Sequence, residues 1–262
     1  MKKKIIFITL ILGIGITLFA QTATPKTAEE IVRSSRDRIK STTLQTRSKM
    51  TITAKNGTSS ERVVDQYSKD GPKGSRAMIV FQSPASIAGT RFLTMENSGS
   101  TDDRWIFLPS LGKVRRVAAS EGSGSFMGTD FSYDDISSAS RSAGADTHTI
   151  LREEEYGGTT CYVIQSVPKD SSYQYSKMIQ WITKDNFITL KIELYDNKKN
   201  TLVKTAEMSG VKNIQGRLTV TVTKMTTHAA GTSTTITNEI TKYDDPISDK
   251  VFTVDFLETG RY

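Results

Sequence analysis

Hydrophobic residues follow two different periods along the chain. Between residues 28 and 39 they recur every three or four positions, as on a helix with one buried face. Thr27 and Glu30 stand at the start of this stretch with the spacing of a capping box. We therefore predict an N-terminal helix that begins after Thr27 and ends near Ser41, where the run Ser41-Thr42-Thr43 disfavours its continuation.

Beyond the helix the period changes to two, which is typical of half-buried strands. Apolar and polar residues alternate strictly over residues 188–194 and 218–222. Similar but less regular runs occupy residues 50–55, 62–68, 77–82, 91–95, 104–108, 148–155, 161–167, 178–183, 202–208 and 234–241. Turn signals such as Asn56-Gly57 and Gly157-Gly158 separate the runs. This pattern predicts a mainly β (α+β) protein of ten or more strands, an antiparallel meander curled into a barrel-like sheet with an apolar concave face and a solvated outer face.

The first twenty residues have the pattern of a secretory signal. Lys2, Lys3 and Lys4 precede an apolar run from Ile5 to Ala20. The run is shorter than the ~20 residues that span a bilayer comfortably, so cleavage near Ala20 is favoured over an uncleaved anchor. No cysteine follows the run, so we expect no lipid anchor on this chain. Residues 21–262 contain no repeat or linker, and we expect one soluble periplasmic domain.

Charge and cysteine content add two limits. The net charge is +7, and the three leader lysines account for part of it, leaving +4 without a dense basic block. A nucleic-acid partner is therefore not expected. Cys161 is the only cysteine, and its apolar neighbours favour a buried strand position over pairing with another chain.

Catalytic and metal-binding patterns are missing from the sequence. The two histidines, His148 and His228, have no metal-ligand spacing, and we expect them at the surface or at strand edges. No G-x-S-x-G motif occurs. The pairs Asp134-Asp135 and Asp244-Asp245 are expected to be caps or turns. We therefore predict no enzyme, no cofactor and no metal.

The stretch from Ser110 to Ile136 has no ordinary β pattern. The strand before it is apolar on both faces and must be covered on both sides. Residues 122–125, Gly-Ser-Gly-Ser, look like a flexible spacer. A short helix capped by Asp130 is expected to follow. Two interpretations stay open: a surface loop that completes the core, or a mobile lid over an apolar cavity.

The charges of this stretch suggest how such a lid would be held. Arg115 and Arg116 could form ion pairs with Asp130, Asp134 or Asp135. The same arginines could instead contact a lipid phosphate.

Three segments resemble a known family. Trp105-Ile106-Phe107-Leu108-Pro109, Val114-Arg115-Arg116 and the run from Ser125 to Asp135 are similar to the signature of the outer-membrane lipoprotein-sorting proteins. These are the LolA-like carriers, in the branch often found beside RND-type exporters. The closing residues 249–257 are similar too. The resemblance implies an incomplete antiparallel β-barrel whose helices close an apolar cavity for lipoprotein acyl chains, and the greater length here implies extra strands or loops.

We therefore expect a monomeric periplasmic carrier of lipoprotein acyl chains or other lipids. Its partners would be an inner-membrane transporter or exporter and an outer-membrane acceptor. The predicted cavity mouth comprises Trp105, Phe107 and Leu108. The predicted gate comprises Phe126, Met127, Phe131 and Tyr133. An alternative of another class is an interaction module of the same fold, either a lipid sensor or an exporter accessory.

Overall fold

A computed structural model describes residues 26–72, 74–97, 102–137 and 143–261. The predicted signal peptide and its cleavage site lie outside these ranges. The N-terminal helix α1 spans Ala28–Asp37, and both bonds of the Thr27–Glu30 capping box are present, at 3.2 and 2.9 Å. The helix ends four residues before the predicted Ser41. The chain turns there because Thr42 is held by Asp244 at the entrance to the first strand.

Fifteen strands make up most of the described chain. They are β1 (Thr43–Thr53), β2 (Ser59–Lys69), β3 (Arg76–Ser83), β4 (Arg91–Met95), β5 (Asp103–Leu108), β6 (Lys113–Arg116), β7 (Asp146–Tyr156), β8 (Thr159–Pro168), β9 (Tyr175–Thr183), β10 (Thr189–Asp196), β11 (Leu202–Ser209), β12 (Lys212–Ile214), β13 (Arg217–Thr219), β14 (Val222–Thr227) and β15 (Thr232–Tyr243). Two further helices are α2 (Tyr133–Ser137) and α3 (Val254–Thr259). The prediction of a mainly β protein with ten or more strands is confirmed.

Thirteen strands form one antiparallel sheet in the order β6-β5-β4-β3-β2-β1-β15-β14-β11-β10-β9-β8-β7. Its two edge strands, β6 and β7, do not pair with each other, so the curled sheet stays open as an incomplete barrel. The first and last strands, β1 and β15, pair at its centre from Leu44–Tyr243 to Thr53–Ser233. Strands that are far apart in the sequence therefore pair in the middle of the sheet, which gives the fold many long-range contacts.

One predicted strand is wrong. Residues 218–222 alternate as a single strand would, but they belong to two elements. β12 and β13 form a separate two-stranded hairpin, and β14 begins only at Val222. The chain leaves the large sheet at Gly210, whose carbonyl accepts a 2.6 Å bond from the Thr221 hydroxyl as the chain returns. The period of two continues from the hairpin into β14, because alternation along a strand does not show which strand it pairs with.

Alternation along the strands divides the apolar residues between two faces of the sheet. Met50, Val64, Ile79 and Phe92 belong to one core cluster on the concave face. Met78 and Leu93, one position away, belong to another cluster on the outer face. The strands β3 to β5 are therefore covered on both sides, as their two-faced apolar pattern predicts.

The outer face of these strands is covered by the end of the chain. Residues 247–257, which we call the outer cover, comprise a 3-10 turn at Asp249–Phe252 followed by α3. Phe252 and Leu257 are fully buried there against Met78 and Leu93. The expectation of a solvated outer face is thus wrong for this part of the sheet. No helix within the described ranges has the length and apolarity to cross a membrane.

Candidate functional site

The concave face is occupied in part by residues 122–137, which we call the plug. The plug folds back on itself: the Asp134 amide donates to the Gly122 carbonyl at 2.9 Å and the Phe126 amide to the Phe131 carbonyl at 2.8 Å. A Cβ atom at Gly122 would stand 2.4 Å from the Asp134 carboxylate. The predicted flexible spacer is therefore a hydrogen-bonded turn, in which Gly122 packs closely against the Asp134 carboxylate.

Aromatic rings anchor the plug in one half of the curled sheet. Phe126 is fully buried, with its ring 5.2 Å from Phe92, 5.5 Å from Tyr133 and 5.8 Å from Phe81. Met127 packs at the edge of the same cluster with a φ of 52°. These distances are typical of favourable aromatic pairs. The ring of Phe126 thus fills the space that a ligand on this face would otherwise occupy.

The other half of the sheet receives the second aromatic residue of the plug. Phe131 packs in a cluster with Tyr175, Leu194 and Met225. Ile136 touches both this cluster and that of Phe126. The plug therefore crosses the concave face of the sheet. It carries all four predicted gate residues, Phe126, Met127, Phe131 and Tyr133.

The acidic residues of the plug contact strands on both sides of it. Asp134 accepts a 2.6 Å hydrogen bond from Arg104 of β5. Asp135 forms a 2.9 Å ion pair with Lys204 of β11 and accepts a 2.9 Å bond from the Tyr175 hydroxyl of β9. Burial and the Asp135 charge raise the pKa of Tyr175, which keeps this hydroxyl a donor. These contacts attach α2 to both halves of the sheet.

Asp130 has a different role from the predicted helix cap. It is buried, and its carboxylate accepts hydrogen bonds from the hydroxyls of Thr232 and Thr234 on β15. The cap of α2 is Ser132, whose hydroxyl accepts from the Asp135 amide at 3.0 Å while its own amide donates to the Asp135 carboxylate. Asp130 thus contacts β15, and Asp135 contacts β9 and β11. The sequence alone does not show that these strands lie beside the plug.

The predicted pairing of Arg115 and Arg116 with the plug acids is wrong. Arg115 pairs with Glu121 at 2.9 Å, and Arg116 pairs with Asp103 on the neighbouring strand. Arg115 also lies near the Tyr133 hydroxyl, where its charge partly offsets the rise in pKa that burial causes. Both arginines stand on the edge strand β6, and their partners are nearby acids: Glu121 in the turn after β6 and Asp103 on β5. The cation that holds Asp134 is instead Arg104.

None of the three predicted mouth residues lines the cavity beside the plug. Trp105 and Phe107 point to the outer face and pack against the outer cover, while Leu108 packs with the Phe126 cluster. Arg91 stacks 4.6 Å above the Phe107 ring. The division follows from the period of two, because residues 105 and 107 must face the opposite side from 106 and 108.

A cavity of about 360 Å³ lies on the concave face beside the plug. Its volume falls within the roughly 300–1,000 Å³ of small-molecule sites. The apolar part of its wall comes from the turn after α1, from β1, β3 and β4, and from the plug, as Ile39, Leu44, Ala77, Ile79, Phe92 and Ile136. Because Ile136 belongs to the plug and Phe92 contacts the plug residue Phe126, the plug forms one part of the cavity wall.

The polar part of the wall is predominantly basic. Five cationic side chains and two carboxylates line it: Arg33, Arg36, Lys40, Lys69 and Arg76, against Asp37 and Asp70. Lys69 and Arg76 are both bound to Asp249, at 3.1 and 2.8 Å. Arg33 and Arg36 of α1 and Lys40 of the turn after it line the same cavity.

The remaining candidates lie outside this site. His148 is buried on the edge strand β7, 2.8 Å from the Ser166 hydroxyl, and His228 is exposed beside Thr205. The strand-edge position of His148 is as expected, but its burial is not. Cys161 is fully buried, as predicted, and burial raises the pKa of its thiol. In the part of the chain that the structure describes, no three His, Cys, Asp or Glu side chains are grouped as a metal site.

Three functional features were missed by sequence reasoning. Arg104 and Lys204 are solitary cations within apolar strands, and this unusual placement is a signal for a buried partner. The basic residues Arg33 and Arg36 of α1, with Lys40 in the turn after it, have the pattern of an exposed surface. Only the fold shows that they line a cavity.

A curled antiparallel sheet, open at one side and blocked by a plug beside an apolar cavity, defines a LolA-like half-barrel. A family model described only as an uncharacterized protein matches residues 73–259. No curated protein sequence matches significantly.

Solved structures identify the family. A DUF1329 family protein from Desulfovibrio piger is 30% identical, with a TM-score of 0.83 over 88% of this chain and 97% of that one. An outer-membrane lipoprotein-sorting protein domain from Vibrio parahaemolyticus is 26% identical, with a TM-score of 0.82 over 88% and 98%. A LolA superfamily protein from Nitrosomonas europaea, 23% identical over 88% and 100% with a TM-score of 0.73, shares the fold. The chain belongs to the DUF1329 family, and it shares its fold with outer-membrane lipoprotein-sorting and LolA superfamily proteins.

Proposed function

We propose that this protein is a non-enzymatic periplasmic carrier that binds acyl chains of lipoproteins or other lipids and delivers them toward the outer membrane. The observation that carries the proposal is the cavity of about 360 Å³, with an apolar wall to which the plug contributes. Burying about ten methylenes of an acyl chain contributes roughly 8 kcal/mol, so apolar contact alone is sufficient to hold such cargo.

The plug supplies a means of release. Phe126 occupies apolar surface next to the cavity and is therefore a competitor for the cargo. A longer chain could bind where the ring now lies if the plug moved, and return of the ring would favour release. Transfer would occur between an inner-membrane transporter or exporter and an outer-membrane acceptor.

The direct test is native mass spectrometry of the protein purified from the periplasm of its own host. We expect a co-purifying lipid, and a mature chain that begins at Gln21. In parallel, delipidated protein should bind a fluorescent acyl probe. Protein that carries no lipid and binds no probe would overturn the proposal.

A cavity-filling variant locates the probe. Ala77 lines the cavity, so Ala77→Phe should weaken probe binding roughly tenfold or more through overpacking. The matched control is Ala229→Phe, which adds the same ring at an exposed turn. Equal probe affinity in the two variants would place binding elsewhere on the molecule.

A further inference from the structure

The mouth of the cavity carries charges that an acyl chain does not require. Arg33 and Lys40 are exposed side chains at the wall, and Arg36 lies between them in sequence. Residues three apart on a helix share one face, so Arg33 and Arg36 lie together on α1, and Lys40 follows in the turn after the helix. We call these three cations the basic strip, and the hydroxyls of Ser41 and Ser68 line the cavity as well.

Opposing charges at the mouth are fewer. Asp37 and Asp70 are the acidic residues of the wall, and the carbonyl end of α1 adds roughly half a negative charge. The Asp70 carboxylate is already engaged by the Ser75 hydroxyl at 2.8 Å. Lys69 and Arg76 on the far side are shared with Asp249, and together this trio leaves one further positive charge. The mouth is therefore positive while the interior is apolar.

We infer that the cavity selects amphiphiles whose headgroup carries an anionic phosphate, with the acyl chain inside and the phosphate against Arg33, Arg36 and Lys40. The inference rests on the proposed function, because it assigns the headgroup end of the same site. Guanidinium groups bind phosphate oxygens through charge-assisted, often bidentate hydrogen bonds. Partial exposure of the strip allows a headgroup to enter without a full desolvation cost.

The geometry also moves the headgroup contact away from the residues that the sequence suggests for it. Arg115 and Arg116 are paired with Glu121 and Asp103 on the edge strand β6, and neither lines the cavity. The strip on α1 and the turn after it lines one part of the cavity, and Ile136 of the plug lines another. A bound lipid would thus contact both, with its phosphate at the strip and its acyl chain at the plug.

The test compares three lipids that have the same single acyl chain and different headgroups. Myristoyl lysophosphatidylglycerol, myristoyl lysophosphatidylcholine and monomyristoylglycerol compete with a fluorescent acyl probe on the full chain, below their micellar concentrations. We expect the anionic lipid to displace the probe at roughly tenfold lower concentration than the neutral glyceride, the factor that one charge-assisted contact supplies. Added salt should reduce that preference.

A triple variant assigns the preference to the strip. Arg33→Gln/Arg36→Gln/Lys40→Gln should bind the neutral glyceride as the wild type does and lose the preference for the anionic lipid. The control Lys198→Gln/Lys199→Gln/Lys224→Gln removes the same charge from exposed positions outside the cavity, and it should keep the preference. A control that loses the preference would show a general charge effect and overturn the assignment.

The outcomes separate the inference from the function beneath it. Equal displacement by all three lipids would overturn the headgroup inference and leave the carrier proposal intact. Binding of no probe or lipid would overturn both. Inorganic phosphate is tested as a fourth competitor. If it displaced the probe as effectively as the anionic lipid does, the mouth would be a site for free phosphate. That result would also overturn the inference.

Discussion

Two covers lie on opposite faces of the same strands, and they are built differently. The outer cover seals β3 to β5 mainly with hydrocarbon: Phe252 and Leu257 are buried, and its charged contacts, from Arg76 to Asp249 and from Arg91 to the Leu257 carbonyl, lie at its partly exposed margin. The plug covers the concave face with a buried ring, Phe126, but it is also attached through charged groups in the interior, Arg104–Asp134 and Lys204–Asp135.

The difference indicates which cover is built to open. Hydrophobic contacts gain nothing from water when they separate, whereas ionic groups regain their hydration. Buried ion pairs are also a poor means of increasing stability, because desolvation offsets much of their attraction. A chain that covers one face mainly with apolar contacts does not need buried charges to cover the other. We therefore propose that the outer cover is permanent core and that the plug can leave the concave face.

The largest expected effect is loss of stability on truncating the outer cover. Phe252→Ala should lower the free energy of unfolding by about 3–5 kcal/mol, because a fully buried ring leaves a cavity behind. Urea denaturation measures it. Val254→Ala is the control on the same segment, and since Val254 is largely exposed it should change stability by less than about 0.5 kcal/mol. Probe affinity should be unchanged in both.

The same truncation in the plug should have a second consequence. Phe126→Ala should cost about 3 kcal/mol, toward the lower end for a ring, because it borders an existing cavity. It should also bind the acyl probe more tightly than the wild type, since the competing ring is gone. Saturating probe should then recover stability, by about 2.7 kcal/mol at a hundredfold excess over Kd. If Phe126→Ala and Phe252→Ala responded alike to the probe, the distinction between the covers would be lost.

The plug could be predicted in part from the sequence, but the outer cover could not. The period of two in residues 104–108 predicts a strand with two buried faces, and the Phe126-Met127 pair predicts an apolar contact nearby. Neither pattern says which face receives which cover. Trp105 and Phe107 were assigned to the cavity because aromatic residues near the plug in sequence were taken to be near it in space. The parity of the strand sends them to the outer face, where residues 247–257 arrive from the far end of the chain.

The ionic contacts of the plug were beyond sequence reasoning for a related reason. Charge alone permits Asp134 to pair with either of two nearby arginines, and the partner it has, Arg104, lies thirty residues away on a strand. Lys204 is sixty-nine residues from Asp135. Such pairs depend on sheet order and curvature, which local alternation leaves open. The family resemblance supplied the half-barrel but not these partners.

A smaller effect is expected from the ionic anchor of the plug. Asp135→Asn removes the charge that Lys204 and the Tyr175 hydroxyl share, and should lower the free energy of unfolding by roughly 1.5–3 kcal/mol. A double-mutant cycle with Lys204→Met should show coupling between the two positions. The exposed pair partner Asp249 serves as the control, since Asp249→Asn at neutral pH should cost less. Additive effects of the two substitutions would show that the ion pair does not hold the plug.

The smallest expected effect is a pH dependence of the local stability of the outer cover at Asp249. Hydrogen bonds from Lys69 and Arg76 lower the pKa of Asp249 below its usual 3.8. A carboxylate with a lowered pKa stabilises the folded state above its unfolded pKa, and this contribution is lost as the pH falls through the folded value. The protection factors of residues 247–257, which correct for the slower intrinsic exchange of amides in acid, should therefore fall below about pH 4, more steeply in the wild type than in Asp249→Asn, which lacks the titrating group. Because the apolar contacts of Phe252 and Leu257 do not titrate, the segment should loosen at Asp249 while α3 stays in place. Complete release of α3 in the same pH range would mean that the outer cover, too, depends on its charges.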